Sequence, residues 1–281
     1  MERADGLRFA DFIVIGAQKA GTTSLFHYLN DHPQIYLHPK KELAYFARPE
    51  DQGKDHVYAE YFRRAPADAF LGDVSTQYSK YPFKSNVPER IAALVPKVRL
   101  IYLVRHPVKR VLSAYHHELL SGRDLAPIDE EVRSDPNYVD ISSYHKQIEQ
   151  YLPYFDREQL LIVPMEEMLA DKATWVRRIF AHIGCDANHV PANLDTRSNV
   201  SDERVRITPL IHRIQNSPLY RKVRWRLPSG LKGRIVSLLG ASPPPKPTMP
   251  EQTRLWLTEQ LRGEAEALQK FMGRDEPLWD L

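Results

Sequence analysis

The sequence predicts an α/β fold in which a central parallel sheet of about five strands is flanked by helices. Five short apolar segments have the length and composition of strands, and apolar residues recur at helical spacing between them. Residues 98–104 are apolar almost throughout, which is typical of a strand covered on both faces. Because strands that alternate with helices form parallel sheets with right-handed crossovers, we expect a three-layer fold.

The elements can be assigned in chain order. Residues 11–15 form a short apolar strand, Gly16 interrupts it, and a helix is predicted over residues 22–29. Proline at the start of a helix and glycine after its end support the later boundaries. Further strands are predicted at residues 35–37, 71–74, 98–104 and 160–163, and further helices between Pro107 and Gly122, around residues 148–155, from residue 175 to Gly184, and over residues 250–272.

The composition is that of one globular chain. With 281 residues and 42% hydrophobic content, the chain can bury one sizeable core. We expect a single domain over residues 1–281, with its core at about 11–199 and a helical, basic C-terminal part at about 200–281. The formal net charge of +3 is too small to indicate nucleic acid, so none is expected as a partner, but it is compatible with an anionic ligand in a local basic pocket.

The cellular compartment is predicted from cysteine usage and from the lack of long apolar segments. The single cysteine, Cys185, has no partner for an intramolecular disulfide and no other metal-ligating residue at useful spacing. Residues 1–10 lack the apolar run of a signal peptide, and no window reaches the roughly 20 apolar residues of a membrane span. We therefore expect a cytoplasmic protein without a transmembrane segment.

The loop after the first predicted strand carries the main chemical signal. Residues 16–23 read Gly-Ala-Gln-Lys-Ala-Gly-Thr-Thr, and their two glycines have the spacing of an ATP-binding P-loop. A P-loop has lysine directly after the second glycine, but here that position is Thr22 and the lysine is Lys19. Such a P-loop-like turn can still hold one phosphate on backbone N–H groups at a helix N-terminus, with Lys19 beside the oxygen that bridges to a neighbouring group.

The end of the strongest predicted strand supplies a second anion-binding signal. P-loop hydrolases usually hold Mg²⁺ with an aspartate at a strand end, whereas residues 98–104 are followed by Arg105. Arginine can donate two parallel hydrogen bonds to a phosphate in a bidentate arrangement. Ser113 follows within the next predicted helix. Because open α/β sheets bind ligands at strand ends, we expect an organic anion there without a required metal ion.

In these residues the chain resembles sulfotransferases that use 3′-phosphoadenosine 5′-phosphosulfate, most closely the soluble bacterial members and the sulfotransferase domains of heparan sulfate enzymes. The resemblance covers most of residues 11–199 and extends to the C-terminal helix. Four segments carry it, namely residues 15–25, 41–46, 72–78 and 103–115.

The resemblance implies a role for each matching residue. Glu42 is the implied catalytic base, and Lys19 stabilises the leaving oxygen. The alternative for Glu42 is a surface ion pair with Lys40 or Lys41. The residues implied to bind the donor 3′-phosphoadenosine 5′-phosphosulfate are Lys19, Ala20, Gly21, Thr22, Thr23 and Ser24 at its phosphosulfate, Arg105 and Ser113 at its 3′-phosphate, and Arg197 and Asn199 in a late loop.

The acceptor is less defined by the sequence. The glutamate segment of the family often continues with a histidine where this chain has Ala44, and heparan-type enzymes often have a lysine near residues 73–75, where this chain has none. We expect a hydroxyl on a small molecule, a carbohydrate or a lipid. Tyr78 and Tyr144 are candidates for the acceptor pocket, and core packing is the alternative for both.

Two other functions are compatible with the same loop. A P-loop-type kinase of small molecules would need ATP and Mg²⁺, and the displaced lysine and the arginine at the strand end disfavour it. A non-catalytic module that binds adenosine 3′,5′-bisphosphate would need neither Lys19 nor Glu42. The sequence therefore favours sulfuryl transfer, with these two functions as alternatives.

Overall fold

The computed structural model describes residues 6–195 and 246–281 and confirms the predicted α/β fold. All five predicted strands are present, and every strand end lies within one residue of its expected position. They are β1 (Phe12–Gly16), β2 (Ile35–Leu37), β3 (Phe70–Val74), β4 (Arg99–Val104) and β5 (Leu160–Pro164). All strand pairings are parallel, and the order across the sheet is β2-β3-β1-β4-β5.

The strand order creates a crevice at the centre of the sheet. The chain leaves β1 toward β2 on one side and leaves β4 toward β5 on the other, although β1 and β4 are neighbours. Connections that diverge from adjacent parallel strands leave a cleft at the carboxyl ends of those strands, where α/β proteins bind ligands. The loops that follow β1 and β4 therefore meet at this cleft.

Helices flank the sheet, and the longer ones match the sequence patterns. The helix predicted around residues 148–155 is wrong in extent, because the helix there ends at Glu149 and Leu152 is 40% exposed. Within residues 6–195 and 246–281, the α-helices are α1 (Thr22–Asn30), α2 (Asp55–Glu60), α3 (Val87–Leu94), α4 (Pro107–Leu120), α5 (Ile128–Ser134), α6 (Asn137–Asp140), α7 (Tyr144–Glu149), α8 (Met165–Ala170), α9 (Lys172–Ile183) and α10 (Glu251–Phe271).

The core lies on both faces of the sheet. Every residue of β1 is buried, and so are the last five residues of β4. Burying an aliphatic or aromatic side chain contributes about 1.5–3 kcal/mol, so these central strands stabilise the fold substantially. The rigid core thus supports the two loops that bound the cleft.

The C-terminal helix packs on the same body. α10 contacts α4 and α7, and Leu257 and Leu261 are buried against Val108 and Val111 of α4. The expected basic segment before α10 lies mostly outside the described residues. In the described parts of the chain, no helix combines the length and apolarity needed to cross a bilayer.

Candidate active site

The loop between β1 and α1 is held against the end of β4. Ala17 N–H donates to the Leu103 carbonyl at 2.6 Å. A Cβ at Gly16 would lie 1.9 Å from Ser79 Oγ and 3.2 Å from the Tyr102 ring, so glycine allows the loop to pack closely against both side chains. Gly21, with a φ of 92°, then takes the left-handed conformation that glycine adopts most easily and turns the chain into α1.

The first turn of α1 faces the cleft. The first amide of α1 with a partner inside the helix is Leu25 N–H, which donates to the Gly21 carbonyl at 3.2 Å. The amides of Thr22, Thr23 and Ser24 have no acceptor within the helix, as in the first turn of any α-helix. Thr22, Thr23 and Ser24 line the cleft at this helix N-terminus, an arrangement that can hold an anion.

Arg105 follows β4 and joins the two loops. Its Nη1 donates to the Lys19 carbonyl at 3.1 Å, so the guanidinium lies directly beside the glycine loop. Burial lowers the pKa of Arg105, and the nearby Glu166 carboxylate opposes that shift. Arginine stays protonated under such conditions. The result is a permanent positive charge at the carboxyl end of β4, close to Ser113 of α4.

Glu42 is fixed by three hydrogen bonds. Its backbone lies in the left-handed region, with a φ of 65°, and its N–H donates to the Val74 carbonyl at 3.1 Å. The carboxylate accepts from Thr76 N–H at 2.7 Å and from Thr76 Oγ1 at 3.1 Å. The turn after β3 therefore holds both the backbone and the carboxylate of Glu42, while about a third of the side chain stays exposed to the cleft.

Asp73 supports this turn from below. It is fully buried and accepts hydrogen bonds from Ser75 Oγ at 2.6 Å, Tyr78 Oη at 2.7 Å and Tyr58 Oη at 3.2 Å. Burial raises its pKa to about 6, although the three hydrogen bonds lower it. Ser75 Oγ also accepts from Ala44 N–H at 3.0 Å. Asp73 thus helps to fix the segment that contains Glu42 but does not reach the cleft.

These groups surround one cavity of about 380 Å³. The structure brings Lys19, the start of α1, Arg105, Ser113 and Glu42 together, although they come from distant parts of the chain. The lining residues are Gln18, Lys19, Gly21, Thr22, Thr23, Ser24, Lys41, Glu42, Thr76, Gln77, Arg105, Ser113, His117 and Met165.

A larger cavity lies elsewhere and has a different character. Its volume is about 630 Å³, and its lining, which is mostly apolar, comes from residues 6–8 and 56–63. The guanidinium of Arg8 at this cavity already donates to the carbonyls of Ala65, Pro66 and Ala69. The smaller cavity is therefore the better candidate for an anionic ligand.

The structure corrects the assignment of two tyrosines. Tyr78 and Tyr144 were candidates for the acceptor pocket, but they are only 2% and 1% exposed. Tyr78 Oη donates to Asp73, and Tyr144 Oη donates to the Arg105 carbonyl at 2.7 Å. Both are core residues, and their hydroxyls help to hold the ends of β3 and β4 in place.

The remaining predicted binding residues fall into two groups. Ala20 is fully buried, and its N–H donates to the Ala17 carbonyl at 3.1 Å, so neither its side chain nor its amide faces the cavity. This corrects its assignment to donor binding, because the loop uses that amide for its own turn. Arg197 and Asn199 lie outside the described residues.

Sequence reasoning missed several cavity residues. Lys41 and Thr76 were within the segments that carry the family resemblance, and their positions next to Glu42 and after β3 were the available signal. His117 also lines the cavity, one turn after Ser113 on α4. Gln18 and Gln77 also lie in those segments, whereas Met165 had no local signal.

Lys80 gives a pH-dependent prediction for this region. Burial, together with Arg110 and Lys84, lowers its pKa from 10.5 to about 8, while Glu42 and Glu118 oppose the shift. The unfolded chain therefore binds more protons than the folded chain between pH 8 and 10.5, so the contribution of Lys80 to the free energy of unfolding rises with pH in this window and is lowest below pH 8.

We expect the Lys80→Met variant to gain stability over the wild type at pH 7 and to lose most of that advantage by about pH 10. Urea unfolding of both proteins at several pH values measures the difference. A difference that does not change with pH would show that Lys80 keeps an ordinary pKa. Lys97→Met, which removes an exposed lysine, is the control.

Comparison with known proteins identifies the family to which this chain is similar. The profile of the Sulfotransferase domain family matches residues 9–206. The membrane-associated sulfotransferase kil1 of Dictyostelium discoideum is 38% identical over 112 residues, which are 39% of this chain and 23% of that protein. Human heparan sulfate glucosamine 3-O-sulfotransferase 5 is 27% identical over 173 residues, which are 57% of this chain and 49% of that protein. This chain thus spans less than half the length of these two relatives.

A solved structure shares the fold over nearly the whole chain. A sulfotransferase from Alicyclobacillus acidocaldarius superposes with a TM-score of 0.68 at 23% identity, covering 96% of this chain and 98% of that chain. At this identity the likeness concerns the fold. Since the family profile itself covers well over half of the residues, this protein belongs to the sulfotransferase domain family.

Proposed function

We propose that this protein transfers the sulfuryl group of 3′-phosphoadenosine 5′-phosphosulfate to an acceptor hydroxyl, with Glu42 as the general base. The observation that carries the proposal is the meeting of three kinds of group around one cavity. These are the N-terminal turn of α1 with Lys19, the Arg105 and Ser113 pair, and the Glu42 carboxylate. Membership of the sulfotransferase domain family supports the reaction class.

The donor set suits a ligand with two separate anionic ends. The amides and hydroxyls of Thr22, Thr23 and Ser24, together with Lys19, would bind the phosphosulfate. Arg105 and Ser113 would bind the 3′-phosphate, because a guanidinium and a hydroxyl together match phosphate oxygens. The donor itself supplies a sulfuryl group activated by its bond to phosphate.

In this proposal the residues of the chain divide the reaction between them. Glu42 accepts the proton of the acceptor hydroxyl, whose oxygen approaches sulfur opposite the phosphate, and Thr76 keeps the carboxylate aimed into the cavity. Lys19 and the amides of α1 stabilise the charge that grows on the phosphate oxygen as it leaves. No metal ion has a role in these steps.

Two residues argue against the kinase alternative. Thr22 stands where a P-loop has the lysine that reaches the β and γ phosphates. The acidic residue on β3, Asp73, is buried under two tyrosine hydroxyls and a serine and does not reach the cavity. It therefore cannot serve as the acidic strand end that holds Mg²⁺ in P-loop enzymes.

A thermal titration tests the proposed donor. A ligand that binds only the folded state stabilises it, by about 2.7 kcal/mol at one hundred times its Kd. We expect adenosine 3′,5′-bisphosphate to raise the melting temperature more than ATP with Mg²⁺ does. A stronger effect of ATP with Mg²⁺ would overturn the proposal.

Transfer of labelled sulfuryl from the donor then separates an enzyme from a binding module. Acceptors to be screened are small hydroxyl compounds, lipid alcohols and carbohydrates. Carbohydrates come first, because one of the relatives is named a heparan sulfate glucosamine 3-O-sulfotransferase. Binding of the donor without transfer to any of these classes would favour the non-catalytic module.

Replacing Arg105 tests the 3′-phosphate site. Hydrogen bonds to charged groups are worth about 1.5–3 kcal/mol, so Arg105→Gln should weaken adenosine 3′,5′-bisphosphate binding roughly 10- to 100-fold. Adenosine 5′-monophosphate, which lacks the 3′-phosphate, should bind both proteins equally. Calorimetry measures both affinities. Arg99→Gln, at the exposed start of the same strand, is the matched control. An equal loss for both nucleotides would show that Arg105 acts on the loop and not on the 3′-phosphate.

A further inference from the structure

Lys41 joins the two halves of the candidate site. Its Nζ donates to Thr23 Oγ1 in the first turn of α1 at 2.8 Å and lies 3.9 Å from Glu42 Oε1. Both lysine and glutamate line the cavity, with side chains that are 24% and 34% exposed. A single ammonium group therefore stands between the anion-binding turn and the carboxylate proposed as base.

The contact with Glu42 does not explain this position by itself. The hydrogen bonds to the Glu42 carboxylate come from Thr76, at 2.7 Å and 3.1 Å, whereas the Lys41 distance of 3.9 Å is that of a loose ion pair. Partly exposed ion pairs of this kind contribute little to stability. The shorter contact, at 2.8 Å, is the hydrogen bond from Lys41 Nζ to Thr23 Oγ1, so the ammonium lies at the N-terminus of α1.

The in-line geometry of sulfuryl transfer indicates what this ammonium faces. The acceptor oxygen, sulfur and the leaving phosphate oxygen lie on one line, with the base at the acceptor end and the phosphate in the loop that contains Lys19. A group between Glu42 and Thr23 lies alongside the middle of that line. The middle of the line holds sulfur and its three other oxygens.

We infer that Lys41 is a further catalytic residue, which binds the oxygens of the transferring sulfuryl group. The inference rests on the proposed function. In the step concerned, the acceptor O–S bond forms, the S–O bond to phosphate breaks with its electron pair passing to the phosphate oxygen, and the acceptor proton goes to Glu42. Lys41 donates to sulfuryl oxygens throughout, so it discriminates the donor from its product, which lacks that group.

The test compares Lys41→Met with Lys40→Met. Lys40 is the neighbouring lysine, but it is exposed and its Nζ lies over the Tyr61 ring, 5.6 Å from the centroid. Calorimetry measures the affinities for 3′-phosphoadenosine 5′-phosphosulfate and for adenosine 3′,5′-bisphosphate. Single-turnover assays with labelled donor measure sulfuryl release or transfer.

We expect Lys41→Met to bind the bisphosphate within about twofold of the wild type, to bind the phosphosulfate about tenfold more weakly, and to transfer sulfuryl roughly 10²- to 10³-fold more slowly. Lys41→Arg should recover part of the loss because it keeps the charge, and Lys40→Met should match the wild type. The bisphosphate affinity also reports folding of each variant.

Two outcomes would overturn the inference while leaving the proposed function intact. One is Lys41→Met with a wild-type ratio of phosphosulfate to bisphosphate affinity and a wild-type transfer rate. The other is an equal loss of affinity for both nucleotides, which would make Lys41 a nucleotide-binding residue. Wild-type protein that fails to bind the phosphosulfate at all would instead overturn the proposed function, and this inference with it.

Discussion

Glu42→Gln should lower the rate of sulfuryl transfer by about 10²- to 10⁴-fold, which is the usual contribution of general-base catalysis. Glutamine has the size of glutamate and keeps an oxygen that can accept from Thr76 N–H, so the turn after β3 should retain its shape. It cannot take the acceptor proton. The affinity for adenosine 3′,5′-bisphosphate should therefore stay within about twofold of the wild type while turnover falls.

Steady-state kinetics and calorimetry together check this expectation. Glu50→Gln removes an exposed carboxylate only eight residues along the chain and is the matched control. Full turnover of Glu42→Gln with normal donor binding would contradict the assignment of Glu42 as base. Loss of bisphosphate binding as well would point to a disturbed loop, and a circular-dichroism melt would show it.

Lys19→Met should lower the turnover number by about 10²- to 10³-fold, as for the removal of one group that stabilises transition-state charge. The bond from Arg105 to residue 19 uses the backbone carbonyl, so it survives the substitution. Methionine fills nearly the same space but offers no charge to the leaving oxygen. The loss should therefore fall on the chemical step more than on donor binding.

Measuring the turnover number and KM of Lys19→Met separately tests this prediction. A fall in the turnover number with little change in KM means that Lys19 acts in the transition state, whereas a raised KM with unchanged turnover means that it binds ground state and transition state equally. The second result would contradict the proposed role. Lys97→Met, which removes an exposed lysine before β4, should behave as the wild type.

The strands were predictable because their signal is local. A parallel strand buried on both faces needs apolar residues at almost every position, and residues 98–104 show this directly. The long helices, α4, α9 and α10, were predictable for a similar reason, since two or more turns give a visible period.

The short helices were not predictable in the same way. α5, α6 and α7 have four to seven residues each, which is too few for a helical period to stand out. The apolar residues after Glu149 continued the spacing of α7, but the chain there packs Tyr151 and Phe155 into the core without a helix. Tertiary packing decided where that helix ended.

The two tyrosines show the limit of reading side-chain types. An aromatic ring with a hydroxyl suits a sugar pocket and also suits a core that offers one hydrogen-bond partner. Tyr78 finds that partner in Asp73, and Tyr144 finds it in the Arg105 carbonyl. Neither partner can be inferred from sequence spacing, because each contact depends on how the loops pack.

The unit of strand, glycine loop and helix, the displaced Lys19 and the arginine after β4 could all be recognised from the amino-acid sequence, because backbone conformation and apolar patterning act over a few residues. Which distant groups share the cavity became visible only in the folded chain. In the sheet, β3 lies between β2 and β1, so the segments that follow these three strands meet at one edge. Lys41 therefore contacts Thr23, and Thr76 donates hydrogen bonds to Glu42. Contacts of this kind arise from chain topology, which no local pattern encodes.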